Sequence, residues 1–160
     1  MCEKMKNNDK MFNPMNSTVV RVLTSSMERF SERTAMVDIE SSVTYKELKH
    51  DSDVLTQYIV DVTRGENSFV LLMLPRRVCF FTAAIAVQKA GCAYVPISHT
   101  YPVERINYII SDCQPKLIIT TSEIYHQRNQ NGELNIGNAH LLFLDKTDLK
   151  SVDASPAALS

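Results

Sequence analysis

Gly132 and Gly137 are separated by four residues, the spacing at which a glycine-rich loop can cradle a nucleotide phosphate. The next two positions of such a loop carry Lys and then Ser or Thr, the cation for phosphate and the hydroxyl for magnesium. Here they are Asn138 and Ala139, and no strongly apolar strand leads directly into the loop. The spacing is therefore read as coincidental. The other two glycines, Gly65 and Gly91, are too far apart to build a G-x-G-x-x-G dinucleotide turn, and no serine sits in a G-x-S-x-G hydrolase elbow. Asp51 with Asp53, and Asp38 with Glu40, are close enough in sequence to be paired carboxylates. The first pair falls on the polar side of a helix, where a solvated face is the simpler expectation.

The remaining reactive side chains are dispersed. His50, His99, His126 and His140 show no i, i+4 spacing and no cysteine neighbour, so no zinc site is read from them. Cys2, Cys79, Cys92 and Cys113 form no C-x-x-C pair, and three of them lie in apolar stretches, as free cysteines do. Reduced thiols and a cytosolic compartment are expected on this pattern. Tyr94 and Tyr101 flank a buried strand, where a tyrosine ordinarily packs its ring. Read from its residues alone, the chain carries no complete catalytic constellation.

The elements around these residues are clearer. Val19, Val22, Leu23, Met27 and Phe30 fall at helical spacing after Thr18. "TAMVDI" reads as a short strand, with "ESS" as a turn before Val43. In "TYKEL", Thr44 and Glu47 can form a reciprocal capping box, each satisfying a backbone donor of the other. The helix it opens carries Leu48, Leu55, Ile59 and Val62 on one face and ends near Gly65. "SFVLLML" has the continuous apolar character of a strand covered on both faces. An alanine-rich helix ending at Gly91, a strand "AYVPI", an amphipathic helix from Pro102, and strands "KLIITT" and "HLLFLD" follow. This alternation predicts an α/β fold, an open layered and mostly parallel sheet with flanking helices. Pro96 cannot donate to a ladder, so "AYVPI" is expected at an edge, or its pairing stops there. Gly91 suits a left-handed helix end, and Ala90, Cys92 and Ala93 are small enough for close helix–sheet approach.

The chain has 160 residues, enough for one domain, and a formal charge of −1, which argues against a nucleic-acid partner. The longest apolar run, Val78 to Val87, is about half a membrane span, so no membrane association is expected. Residues 1–17 are polar and aperiodic and are expected to be a disordered lead-in.

"VTYKEL" (Val43 to Leu48) resembles the first core motif of the adenylate-forming, or AMP-binding, ligases, the superfamily of peptide-synthetase adenylation domains, acyl-CoA synthetases and luciferases. "QKAGCAYVPIS" (Gln88 to Ser98) resembles the second, and "YPVERINYIISDCQPKLIIT" continues the likeness through Tyr101-Pro102, Glu104-Arg105 and Asp112. Ser98 stands where Asp is common in the family, and Gln88 where Leu is. The Tyr-Pro-x-Glu-Arg wording is nearer to the amino-acid-activating, nonribosomal-peptide-synthetase type.

The resemblance implies that residues 18–160 are the N-terminal part of an adenylation domain, truncated before the phosphate-binding loop. The complete family enzyme activates a carboxylate with ATP to an acyl-adenylate, with magnesium, and passes it on to a thiol. The family's catalytic groups come later in its sequence, so the expectation is of a chain without catalytic, cofactor-binding or metal residues, incompetent alone. Its implied partners are the missing C-terminal part of the domain or a carrier protein. A split enzyme completed by another chain, and a non-enzymatic α/β interaction module, are the alternative readings.

Overall fold

The computed structural model describes residues 18–39 and 41–149; the expected lead-in, Glu40 and residues 150–160 lie outside the described residues. Helix α1 (Val19–Arg29) starts at Thr18, whose hydroxyl accepts from the Arg21 amide, and buries Met27. It leads into an antiparallel hairpin of β1 (Thr34–Val37) and β2 (Ser42–Thr44). The strand read as "TAMVDI" is thus shorter than expected, and the residues after the turn form its partner. Asp38 explains the early stop. Its carboxylate accepts from the Ser41 amide at 2.8 Å and from the Val78 amide at 2.9 Å, so this residue turns the hairpin and leaves the ladder.

The capping box forms as expected. The Thr44 hydroxyl accepts from the Glu47 amide at 3.2 Å, and the Glu47 carboxylate accepts from the Thr44 amide at 2.8 Å. Helix α2 (Tyr45–Thr63) follows, burying Leu48, Val54, Leu55 and Ile59, and it ends with Arg64 and Gly65 both left-handed.

The main sheet holds β3 (Phe69–Met73), β4 (Ala93–Pro96), β5 (Leu117–Thr120) and β6 (His140–Phe143) in the order β4-β3-β5-β6, all parallel. Strands β3 and β5 are the central pair, which is why their sequences are apolar on both faces. Helix α3 (Val78–Lys89) joins β3 to β4, α4 (Val103–Cys113) joins β4 to β5, and α5 (Ser122–Arg128) precedes β6. Alternate residues of each strand divide into two cores. Val70, Leu72, Leu117, Ile119 and Leu142 pack beneath α2 and α3, whereas Leu71, Met73 and Ile118 pack beneath α4 and α5.

Strand β4 is an edge, as Pro96 requires. Ile97 donates to the Leu72 carbonyl at 2.9 Å, so the nitrogen of Pro96, one residue earlier, faces the open side where no donor is needed. Gly91 ends the preceding connection at φ +73°, the left-handed conformation expected of it.

Candidate functional site

Helix α3 lies on one face of the sheet and helices α4 and α5 on the other, so the chain parts in opposite directions after β3 and β5. That divergence is the topological switch point, the crevice at the carboxyl ends of the strands where open α/β sheets bind ligands. Pro75, Arg76 and Arg77 leave β3 there, and Thr120, Thr121 and Ser122 leave β5. The segment Ser98–Tyr101 after β4 and Asp145 after β6 flank them.

The polar groups at this end are mostly engaged in holding the scaffold. The buried Thr120 hydroxyl donates to the Met73 carbonyl at 2.9 Å, tying the two central strands together. The Thr121 hydroxyl accepts from the Ile124 amide and caps α5. Asp145 accepts from both the amide and the hydroxyl of Ser122, holding the start of α5 to the turn after β6. Burial would raise the Asp145 carboxyl, but those hydrogen bonds and Lys146 outweigh it and hold it below the ordinary carboxylate range. Ser98 and Thr100 bond each other at 2.8 Å in the turn before Tyr101.

Asp38 and Asp53 serve separate local contacts, and Glu40, read as the partner of Asp38, lies outside the described residues. Asp53 departs from the solvated face expected of it. It lies between Lys49 and Lys89 at 2.8 Å from each ammonium, and Lys89 also donates to the Ser52 hydroxyl at 2.8 Å. The Lys89 side chain is only 8% exposed. Desolvation pushes the Asp53 carboxyl up, but hydrogen bonds from Lys49 and Lys89 and their charges hold it below its ordinary range. The lysine of the Lys-Ala-Gly stretch is therefore a latch between α2 and α3. Sequence reasoning missed this pairing because Asp53 and Lys89 lie on different elements.

Asp38 turns the hairpin and supplies the carboxylate at the start of α3, whose own N-cap position, Arg77, makes no side-chain cap. An anion there satisfies an orphan donor and favours the positive helix end. Tyr94 packs edge-on against Phe80, and Tyr101 lies under the Arg105 guanidinium at 4.7 Å. Both tyrosines use their rings for packing.

The Gly132–Gly137 loop sits at the opposite, amino-terminal end of the sheet, leading into β6. Four of its amides are bonded within the protein, that of Gly132 to the Asn129 carbonyl. Asn129, Asn107 and Asn135 side chains accept from Leu134, Asn135 and Gly137 respectively, so these donors are not turned towards a phosphate. A groove of about 420 Å³ lies beside this loop, between the end of α4 (Asn107, Ser111, Gln114) and Asn138. It is at the wrong end of the sheet for a switch-point ligand.

Among the described residues no three His, Cys, Asp or Glu side chains are grouped so as to hold a metal ion, and no helix is long and apolar enough to cross a membrane. Cys79, Cys92 and Cys113 are free thiols; burial pushes Cys79 and Cys113 up, which makes them poor nucleophiles. The His50 ring is 3.1 Å from the Leu149 carbonyl. At the switch point, the side chains of Thr120, Thr121, Ser122 and Asp145 are spent on helix caps and strand ties, whereas Arg76 is exposed.

A model of the family described as AMP-binding enzyme matches residues 23–157. This chain belongs to that family.

Among curated AMP-binding relatives, gramicidin S synthase 1 of Brevibacillus brevis is 31% identical over 120 residues, covering 75% of this chain and 11% of that protein. Tyrocidine synthase 1 of Brevibacillus parabrevis is 34% identical over 110 residues, covering 67% of this chain and 10% of that protein. The chain thus spans about a tenth of the length of either. Among solved structures, a Mycobacterium tuberculosis fatty acyl CoA synthetase aligns with a TM-score of 0.74 at 17% identity, covering 88% of this chain and 30% of that one. The N-terminal subdomain of Klebsiella oxytoca NpsA, in complex with 3-hydroxybenzoyl-AMSN, aligns at 0.65 and 18% identity, covering 87% and 33%. These two likenesses concern the fold: the α/β sheet and flanking helices are part of the N-terminal subdomain of adenylate-forming enzymes.

Both sequence motifs find their place in this scaffold. The first opens α2 through the capping box, and the second supplies the Lys89 latch, the Gly91 corner and the edge strand β4.

Proposed function

We propose that residues 18–160 are the N-terminal scaffold of an amino-acid-activating adenylation domain. The complete domain joins a substrate carboxylate to the α-phosphate of ATP, releasing pyrophosphate and leaving an acyl-adenylate for transfer to the thiol of a carrier protein. ATP and magnesium are held by polypeptide outside these residues, and this chain alone is inactive. The single observation behind the proposal is that the hydroxyls and the carboxylate after β5 and β6 are committed to Thr120–Met73, Thr121–Ile124 and Ser122–Asp145 contacts. That arrangement positions strands and helices and leaves nucleotide handling to other segments. The choice of an amino acid follows from the peptide-synthetase relatives and the Tyr101-Pro102 to Arg105 wording. A cytoplasmic location accords with the free thiols of Cys79, Cys92 and Cys113.

The test is replacement of the matched 110-residue segment of tyrocidine synthase 1 by this chain. Amino-acid-dependent ATP–pyrophosphate exchange by the chimaera, and none by this chain alone, is the expected result. Exchange restored only when the chain is grafted into the fatty acyl CoA synthetase, with fatty acids, would overturn the amino-acid assignment.

A further inference from the structure

The groove of about 420 Å³ at the amino-terminal end of the sheet takes no part in the switch point, yet it has the size of a small-molecule site, about 300–1,000 Å³. Its two walls come from different parts of the chain, and both are held in place. On one side α4 ends at Gln114, left-handed at φ +43°, and Pro115 leads into β5. On the other, the loop before β6 is clasped to α4 by Asn107, whose side chain donates to the Glu133 carbonyl and accepts from the Asn135 amide. Apolar side chains lie between the walls: Ile110 and Pro115 are buried, and Ile136 is half-buried. Ser111, Gln114 and Asn138 set polar groups around this floor, and Lys116 adds a charge. Among the described residues these four side chains take no hydrogen bond or ion pair from the protein, and no acidic residue lines the groove. The Lys116 main chain is fixed on both sides, its amide donating to the Phe69 carbonyl and its carbonyl accepting from the His140 amide.

We propose that this groove binds a small organic monoanion, an apolar body carrying one carboxylate, with Lys116 as its counter-ion. The balance of charge carries the assignment. Lys116 is the one charged side chain of the lining. The end of α4 brings about half a negative charge to the groove, which the full ammonium charge exceeds. The Ser111 hydroxyl and the Gln114 and Asn138 amides can donate to carboxylate oxygens, and Ile110, Pro115 and Ile136 take the apolar body. A bare ion would leave that floor wet, and a dianion would meet a single cation. The groove lies at the opposite end of the sheet from the switch point, so its ligand is not the carboxylate that reacts with ATP, and the site does not depend on the functional reading.

Two-dimensional amide NMR of the 160-residue chain, titrated with benzoate, benzamide and inorganic phosphate, tests this. Benzoate should shift the amides of Lys116, Ile136 and Asn138 along one saturable curve, with a Kd of about 1–10 mM. Benzamide has the ring without the charge, and phosphate the charge without the ring; each should bind about fivefold more weakly. Lys116→Gln keeps the main-chain bonds to Phe69 and His140, so the rest of the spectrum should be unchanged. Its affinity for benzoate should fall about fivefold, to that of benzamide, and Lys116→Arg should restore it. Ser111→Trp, at an exposed position, should fill the groove and abolish the shifts for benzoate and benzamide alike. Equal affinity of the parent chain for benzoate and benzamide, or of Lys116→Gln and the parent for benzoate, would overturn the counter-ion assignment. Shifts centred on Arg76 and the switch point, or none that saturate by about 50 mM benzoate, would overturn the site.

Discussion

The Lys89 ammonium lies 2.8 Å from the Asp53 carboxylate, and the lysine side chain is 8% exposed against 33% for the aspartate. The pair joins the last turn of α3 to the first half of α2, with Ser52 as the third corner. Its asymmetry decides which partner can be lost more easily. Asp53→Asn leaves a buried ammonium with a hydroxyl and a neutral amide, a loss of about 2–4 kcal/mol. Lys89→Met leaves Asp53 partly solvated and still paired with Lys49, a loss of about 1–2 kcal/mol after screening. Urea denaturation of the two variants should rank Asp53→Asn as the more damaging; the reverse order would contradict the latch.

Acid should release the same latch. The Asp53 carboxyl is held below its ordinary range in the folded chain, so its contribution is complete above the unfolded value of about 3.9 and lost as pH falls through the lower folded value. Lys49 is shifted the other way, upwards, chiefly by its hydrogen bond to Asp53. Its contribution is present below the unfolded value of about 10.4 and lost as pH rises through the higher folded one. Stability measured against pH should therefore be level through neutrality and fall in acid. In Asp53→Asn the acid limb should be shallower, and an unchanged limb would show that Asp53 does not carry it.

The capping box makes a local prediction. Thr44→Ala should cost about 1 kcal/mol, because the Glu47 amide loses its acceptor. Glu47→Ala removes the reciprocal acceptor, and the double variant should lose less than the sum of the singles. Strict additivity in thermal denaturation would mean that the two bonds do not act as a unit.

Gly91 is predicted to be intolerant of a side chain for conformational rather than spatial reasons. A Cβ there would meet the Asn67 side-chain oxygen at 3.6 Å, an ordinary contact. The φ of +73° is the obstacle, and Gly91→Ala should cost about 1–2 kcal/mol. A neutral result in urea denaturation would remove the corner's claim to need glycine.

These contacts show why the sequence was legible in some places and opaque in others. The sheet strands, α2, α3 and α4 could be read because their signals are local: continuous apolar runs, the Thr44–Glu47 box, and Pro96 at an edge. Helix α5 could not. It has seven residues, and its start depends on Asp145, 23 positions away, as well as on Thr121. Strand β2 has three residues and exists by pairing with β1, so only the turn before it was visible. The latch was hidden for the same reason, since no local pattern says that Asp53 faces Lys89 across 36 residues. The phosphate-loop spacing at Gly132 and Gly137 could be dismissed from Asn138 and Ala139 alone. That three asparagines occupy its amides needed coordinates.

The central claim is that this part of an AMP-binding enzyme supplies packing and leaves nucleotide contacts to other segments. Calorimetric titration of the 160-residue chain with magnesium ATP measures this directly. The account predicts no saturable heat at millimolar nucleotide, and one-to-one binding at micromolar concentrations would contradict it.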